Sequence, residues 1–209
     1  MRRLLWIIIL GTIAYWGWMR SCKPITIDPA LTQRVERHYG EDLQDLCQTY
    51  DLPAHYFKAL IILEVSARKN PPSRTEASVL KRLKDVRAGK TKKYGFFRTQ
   101  DLQHKSDRDL EWMATSWGPF QIMGFHAVRE GFPVTDLYNE KALATGLRWC
   151  KAQYGDYLKR GDLANAFHIH NTGSPLPASG RPFTTDPDYV RKGLTYSRFF
   201  QNNPRYAQP

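Results

Sequence analysis

The sequence predicts an all-α domain, α+β at most, preceded by a membrane anchor. Apolar residues recur at three- and four-residue steps in five segments, no persuasive run alternates with a period of two, and the chain opens on sixteen uncharged residues, Leu4 to Met19. At 209 residues and 42% apolar content it has the material for one folded domain of ordinary size.

The opening "MRRLLWIIILGTIAYWGWMR" reads as an uncleaved signal anchor over residues 1–23. Sixteen residues rise about 24 Å as a helix, borderline for a hydrocarbon core unless Trp16, Trp18, Arg20 and Lys23 work at the interface. "GWMRSC" lacks the small residues a signal peptidase needs, and Arg2 and Arg3 favour a cytoplasmic start with the domain exported. The expected location is therefore the bacterial inner membrane, single-pass, with the domain in the periplasm or cell envelope. Residues 24–37, "KPITIDPALT" and its continuation, read as an extended linker, and residues 38–209 as the folded domain.

Within that domain "EDLQDLCQTYDLP" places Leu43, Leu46, Cys47 and Tyr50 on one helical face, and Pro53 starts the next helix. "AHYFKALIILEVSARK" follows and ends before Pro71. "SVLKRLKDVRAGK" turns Val79, Leu80, Leu83 and Val86 inward, its cations elsewhere, and stops at Gly89. "EKALATGLRWCKAQYGDYL" has a stripe of Leu143, Leu147, Cys150 and Tyr154. The last helix opens at "DPDYVRKGLTYSRFF", with Asp186 as N-cap and Pro187 in its first turn. A small irregular or hairpin insert is expected around "KKYGFFRTQDL".

Between Arg68 and Arg108 stand thirteen Lys and Arg against four acids, so +9 of the whole chain's +11 lies there. Such a stretch suits an anionic polymer or surface, and it equally suits a solvated face. No DNA-reading motif accompanies it, so nucleic acid is not the expected partner. Cys47 and Cys150 fall in helices, where they pair if the domain is exported or serve as small core residues. The six histidines show no metal-ligand spacing, and neither metal nor cofactor is expected.

Three places carry chemistry. Phe57, Leu60, Ile61 and Glu64 occupy positions 0, +3, +4 and +7 of one helix, which puts a carboxyl on a core-facing stripe. Desolvation there raises its pKa toward the range a general acid needs. "ATSWGPFQIMGFHAV" sets Gln121 in a turn bounded by Gly118 and Gly124, where a ligand could approach the backbone. "AFHIHNTGSP" offers a second amide, Asn171, beside Gly173. One acid and two amide-bearing turns suit a glycan better than a phosphate.

The order "ALIILEVS", "SWGPFQIM", "HNTG", "DYVRKGLTY" resembles the soluble lytic transglycosylase and goose-type lysozyme superfamily. Its members carry an Ala-x-x-x-x-Glu-Ser helix, a Ser-x-Gly-Leu-Met-Gln turn, an Ala-Tyr-Asn-x-Gly segment and a late Tyr-Val helix. The likeness is closer still to the phage-type N-acetylmuramidase branch, whose Arg-Phe-Glu motif stands here as Arg74-Thr75-Glu76. It covers roughly residues 40 to 200. The chain departs from the pattern at Val65, where Ser is usual, at His170, where Tyr is usual, at Thr75, and in the long basic stretch between Glu64 and Gln121.

The resemblance implies a lysozyme-like helical domain with a catalytic cleft. It makes Glu64 the catalytic acid, lines the cleft with Ser116, Gly118, Gln121, Ile122 and Tyr189, and sets Asn171 and Gly173 on the opposite wall. The implied reaction is cleavage of the β-1,4 bond from N-acetylmuramic acid to N-acetylglucosamine in peptidoglycan. If Glu64 alone acts, first as acid and then as base, the product carries a 1,6-anhydromuramyl end. If Glu76 serves as second carboxylate, water is the acceptor and the two carboxyls stand roughly 6.5–9.5 Å apart. Peptidoglycan strands are the expected partner, with Lys81, Arg82, Arg87, Lys90, Lys92 and Lys93 holding the protein near that polyanion. The oligomeric state is not readable. The rival from another class is a non-catalytic, membrane-tethered basic binding module, which accounts for the charge and leaves Gln121 and Asn171 without a purpose.

Overall fold

The structure is a computed structural model and describes residues 24–203. The expected anchor over residues 1–23 lies outside them; among the described residues no helix is long and apolar enough to cross a membrane.

Helix α1 spans Pro29–Tyr50. Asp28 caps it, its Oδ1 accepting from the Ala30 amide at 2.8 Å, and Pro29 occupies the first turn where its missing N–H costs nothing. The expected linker over 24–37 is thus corrected. Only 24–28 is extended, because Asp28-Pro29 is a helix start and Thr32 and Val35 are fully buried.

Helix α2, Ala54–Val65, is apolar all round and buried from Tyr56 to Ile62. It ends at Val65 rather than running on to Lys69, since Ser66 and Ala67 both turn into the left-handed region, with φ of 51° and 56°. Helix α9, Tyr189–Asn202, packs along α2 more extensively than any other pair of elements packs, and α1 covers another side. Asp188, not Asp186, precedes the first residue of α9, so that helix starts later than expected. Asp186 holds the approach instead, its Oδ1 accepting from the Asp188 amide and its Oδ2 from Lys192. Helices α7 (Ala142–Lys159) and α8 (Leu163–Thr172) complete this main lobe, with α7 breaking helical geometry at Tyr154.

The long stretch between Glu64 and Gln121 forms a second lobe with its own core of Leu83, Val86, Phe97, Leu102, Leu110, Met113 and Ala114. It comprises β1 (Arg74–Thr75), α3 (Ala77–Arg87), the hairpin β2 (Lys93–Tyr94) and β3 (Phe97–Arg98), α4 (Thr99–Leu102) and α5 (Asp107–Met113). The hairpin lies where the sequence placed an insert. Strands β4 (Thr115–Trp117) and β5 (Ile122–Met123) join β1 in an antiparallel sheet of order β1-β4-β5, followed by α6 (Gly124–Glu130) and a 3-10 turn at Val134–Leu137. The small sheet falls within the α+β limit of the expectation, and helices dominate. Its strands of two or three residues are too short to display alternation.

Much of the basic charge is spent inside this lobe. Lys84 and Arg87 both reach Asp107, Lys81 pairs with Asp85, and Arg82 lies over the Tyr94 ring. Of the six cations expected to face a polyanion, Lys92 and Lys93 have no such partner among the described residues, while Lys90 lies near enough to Asp85 to help lower its pKa.

Cys47 and Cys150 are free, buried thiols in the main core, so the disulfide alternative does not form. Burial pushes the Cys47 thiol up to about 12 and Cys150 higher. In a Cys22→Ser protein, a thiol reagent added at neutral pH should therefore titrate no cysteine before denaturation and two after it. Rapid labelling of the folded protein would contradict the packing.

Candidate active site

Glu64 sits one residue from the end of α2, with the apolar run Phe57, Leu60 and Ile61 on its stripe, each fully buried. Its side chain is 15% exposed. Burial raises its pKa from 4.5 to about 7, and a hydrogen bond donated by the Tyr189 hydroxyl to Oε1 only partly opposes that rise. Tyr189 is itself buried and remains a phenol, its pKa pushed far upward by burial and by the neighbouring Glu64 charge. Since Tyr189 occupies Oε1 and nothing among the described residues bonds to Oε2, a proton on Glu64 resides on Oε2, free to be given away.

His170 lies 3.8 Å from Oε1. That distance suits an ion pair, but the ring is neutral: burial pulls its pKa down to about 4. Its bonds fix the tautomer. The Phe120 carbonyl can only accept, so Nε2 carries the hydrogen at 2.9 Å, and Nδ1 accepts from the Tyr154 hydroxyl at 2.9 Å. The Tyr for which the family resemblance leaves a place at 170 is thus answered by an imidazole braced from behind by the kinked α7. His170 is the residue whose part the sequence reading left undefined, and Tyr154 had been assigned only to the core.

The turn that follows Glu64 is clamped from α1. Arg34 donates to the Ser66 carbonyl at 3.2 Å, His38 Nδ1 bonds the Ala67 carbonyl at 2.8 Å, and the Tyr39 hydroxyl donates to the Arg68 carbonyl. Two successive non-glycine residues at positive φ cost about 1–3 kcal/mol each, and these three bonds offset that cost where the acid must be held still.

The β4–β5 turn is built differently from the sequence reading. Gly118 adopts φ +71°, and a Cβ there would stand 1.9 Å from the Leu137 carbonyl oxygen; at Gly124 it would stand 2.1 Å from that of Trp112. The close approach these glycines permit in this structure is of the protein's own backbone, while Gly118 also lines a second groove with Trp117, Pro119 and Tyr138. Gln121, at φ 47°, spends its amide internally: Nε2 donates to the Pro72 carbonyl at 3.2 Å and the Gly118 carbonyl at 2.9 Å, and Oε1 accepts from Ser116 at 3.0 Å. Ser116 and Ile122 are buried in the same hairpin. Ser116, Gly118, Gln121 and Ile122 therefore tie the sheet to the segment after Glu64 and carry Phe120 to His170.

Glu76 lies just beyond β1, its Oε1 3.0 Å from Arg74 Nε, and its amide donates to the Ala114 carbonyl. Asn171 and Gly173 are exposed at the end of α8, on the wall of a groove of about 470 Å³. The other walls come from the β2–β3 hairpin, α6 and α7, with His170 in contact with both the groove and Glu64. Neighbours of two sequence-predicted residues are linked: the Phe120 carbonyl, beside Gln121, accepts from His170, beside Asn171, and His170 lies 3.8 Å from Glu64 Oε1. Among the described residues no group of three or more His, Cys, Asp and Glu could hold a metal ion.

Residues 51–147 match the family model of the muramidases, described as N-acetylmuramidase. Over this segment the chain resembles the N-acetylmuramidases. The muramidase-like segment contains Glu64, Glu76, Ser116, Gly118, Gln121 and Ile122, and ends before Asn171, Gly173 and Tyr189. Among curated proteins and solved structures none matches the chain. The family supports a lysozyme-like glycosidase with peptidoglycan as substrate.

Proposed function

We propose that the protein cleaves the β-1,4 bond between N-acetylmuramic acid and N-acetylglucosamine, with Glu64 as general acid. The single observation that carries this is a sheltered carboxyl whose pKa is lifted to about 7, held at Oε1 and open at Oε2. At neutral pH a substantial fraction of Glu64 holds a proton to give to the leaving oxygen, and transfer leaves a carboxylate that the Tyr189 hydroxyl is already placed to stabilise. The groove that meets Glu64 through His170, with Asn171 and Gly173 along the same wall, has room for a glycan. In a lysozyme-like enzyme tethered at the cell envelope, by the anchor expected over residues 1–23, the substrate would be the wall itself.

Glu64 next acts as a base in this reading, drawing the proton from the muramyl 6-hydroxyl as that oxygen closes on the anomeric carbon. Its polar neighbours include the Tyr189 and Tyr56 phenols, the Cys150 thiol and the neutral His170 imidazole, with Glu76 engaged by Arg74, which favours a route needing one carboxylate. The second reading is hydrolysis with Glu76 activating water. It draws on the muramidase match, which includes Glu76, and on the partial exposure of that side chain, which an Arg74 rotation would free. Mass analysis of digested walls separates the two: anhydromuramyl ends are expected, and reducing ends in their place would transfer the role to water and Glu76.

A further inference from the structure

Among the described residues, the groove that shares His170 with the Glu64 site has walls of one charge sign. Tyr94 and Phe96 from the hairpin, His126 and Arg129 from α6, Trp149 from α7 and Asn171 from α8 stand along it, and no Asp or Glu lines it. His126, like His170, is held neutral, burial pulling its pKa down to about 4. Arg129 is then the one charged side chain facing the groove. Its guanidinium carbon lies 3.6 Å from the centroid of the Phe96 ring, a ring 56% exposed, so the planar group is laid flat at the rim. Its nearest acid is Glu130, 3.6 Å from Nε, and its two outer nitrogens hold no hydrogen bond among the described residues.

We propose that Arg129, seated on Phe96, receives a carboxylate of the stem peptide borne by a muramyl residue lying in the groove. This rests on the glycosidase reading above. A neutral glycan offers a guanidinium only uncharged acceptors, whereas a peptide-bearing strand brings carboxylates outward from the sugar, toward a rim rather than a floor, where the outer nitrogens of Arg129 can pair with them while Nε faces Glu130. In such a strand the lactyl carboxyl is consumed in the amide bond to the stem, so the anionic groups are those of the peptide. A paired fork of outer nitrogens matches a carboxylate in two parallel hydrogen bonds.

The test is titration of a soluble disaccharide tetrapeptide, and of a peptide-free disaccharide whose lactyl carboxyl is capped as the simple amide, into wild type, Arg129→Gln and Arg129→Lys. Thermal melts check that the variants, altered at a partly exposed side chain, remain folded. Arg129→Gln should bind the peptide-bearing ligand about tenfold more weakly than wild type, with Arg129→Lys between them, as one charge-assisted pair at a rim predicts. The peptide-free disaccharide should bind all three equally. Equal affinity of wild type and Arg129→Gln for the peptide-bearing ligand overturns the assignment, as does an equal loss for both ligands or no binding by wild type. Clearing of walls by the same preparations is read separately. A protein that clears walls while ignoring residue 129 refutes this inference alone; one that binds through residue 129 without clearing walls refutes the catalytic reading alone.

Discussion

Glu64→Gln should yield a protein that no longer clears cell walls, with activity down by about a thousandfold, yet that unfolds at a higher temperature than wild type at pH 8. The first half follows from removing the proton donor, since a positioned general acid supplies about 10²–10⁴ in rate. The second follows from the sign of the shift. The folded protein holds the Glu64 proton more tightly than the unfolded chain, its pKa being raised from 4.5 to about 7. Below pH 4.5 both states are protonated and the group costs nothing. As pH rises through 4.5 toward 7 only the unfolded state ionises, stability falls, and above 7 the loss is complete at about 3 kcal/mol. An amide cannot ionise and still accepts from Tyr189, so the gain in melting temperature should be large at pH 8 and vanish near pH 4.5. Wild-type activity should decline above pH 7 for the same reason. An amide variant no more stable than wild type at pH 8 would mean that the carboxyl is not desolvated, and general-acid catalysis at neutral pH would lose its basis.

The largest effect on stability is expected at Gly118. A methyl group there meets the Leu137 carbonyl oxygen at 1.9 Å, a backbone atom with no rotamer by which to retreat, and φ is +71° as well. Gly173 supplies the control, with φ +76° and nothing within 4 Å of its Cβ position. Gly173→Ala should cost about 1–2 kcal/mol, the backbone penalty alone. Gly118→Ala should cost about 3 kcal/mol or more, because the sheet must part from the Leu137 segment to admit the methyl group. Urea midpoints with unchanged slopes measure both. Similar costs at the two positions would show that the turn yields easily and that the hairpin does not hold Phe120 in place.

Glu64 was only partly legible in the sequence. Its seven-residue step from Phe57 put it on the buried stripe, but with "ALIIL" apolar on every side the facing was open, and a Glu turned out to solvent or paired with an Arg was an equal reading until the helix was packed. The hairpin around Lys93–Arg98 was legible from its break in helical periodicity, and α1 should have been, because Asp28-Pro29 is a cap written in two letters. The internal bonds of Gln121 were hidden for the opposite reason. An amide amid aromatics invites a ligand until one knows that the Pro72 carbonyl, 49 residues back along the chain, takes one of its hydrogens. The same holds for Gly118 and Gly124, whose crowding neighbours belong to other elements. His170 stood out as a departure from the family's Tyr, but its meaning required Tyr154 and Phe120 to be placed around it.

The bond from Tyr189 to Glu64 joins positions 125 residues apart, and α9, which begins at Tyr189, is the helix that lies most fully along α2. A nascent chain that has emerged only to residue 188 would possess the acid but neither its phenolic partner nor much of its shelter. In that state Glu64 would lose much of the burial that lifts its pKa, so the acid role proposed for it depends on a helix far along the chain.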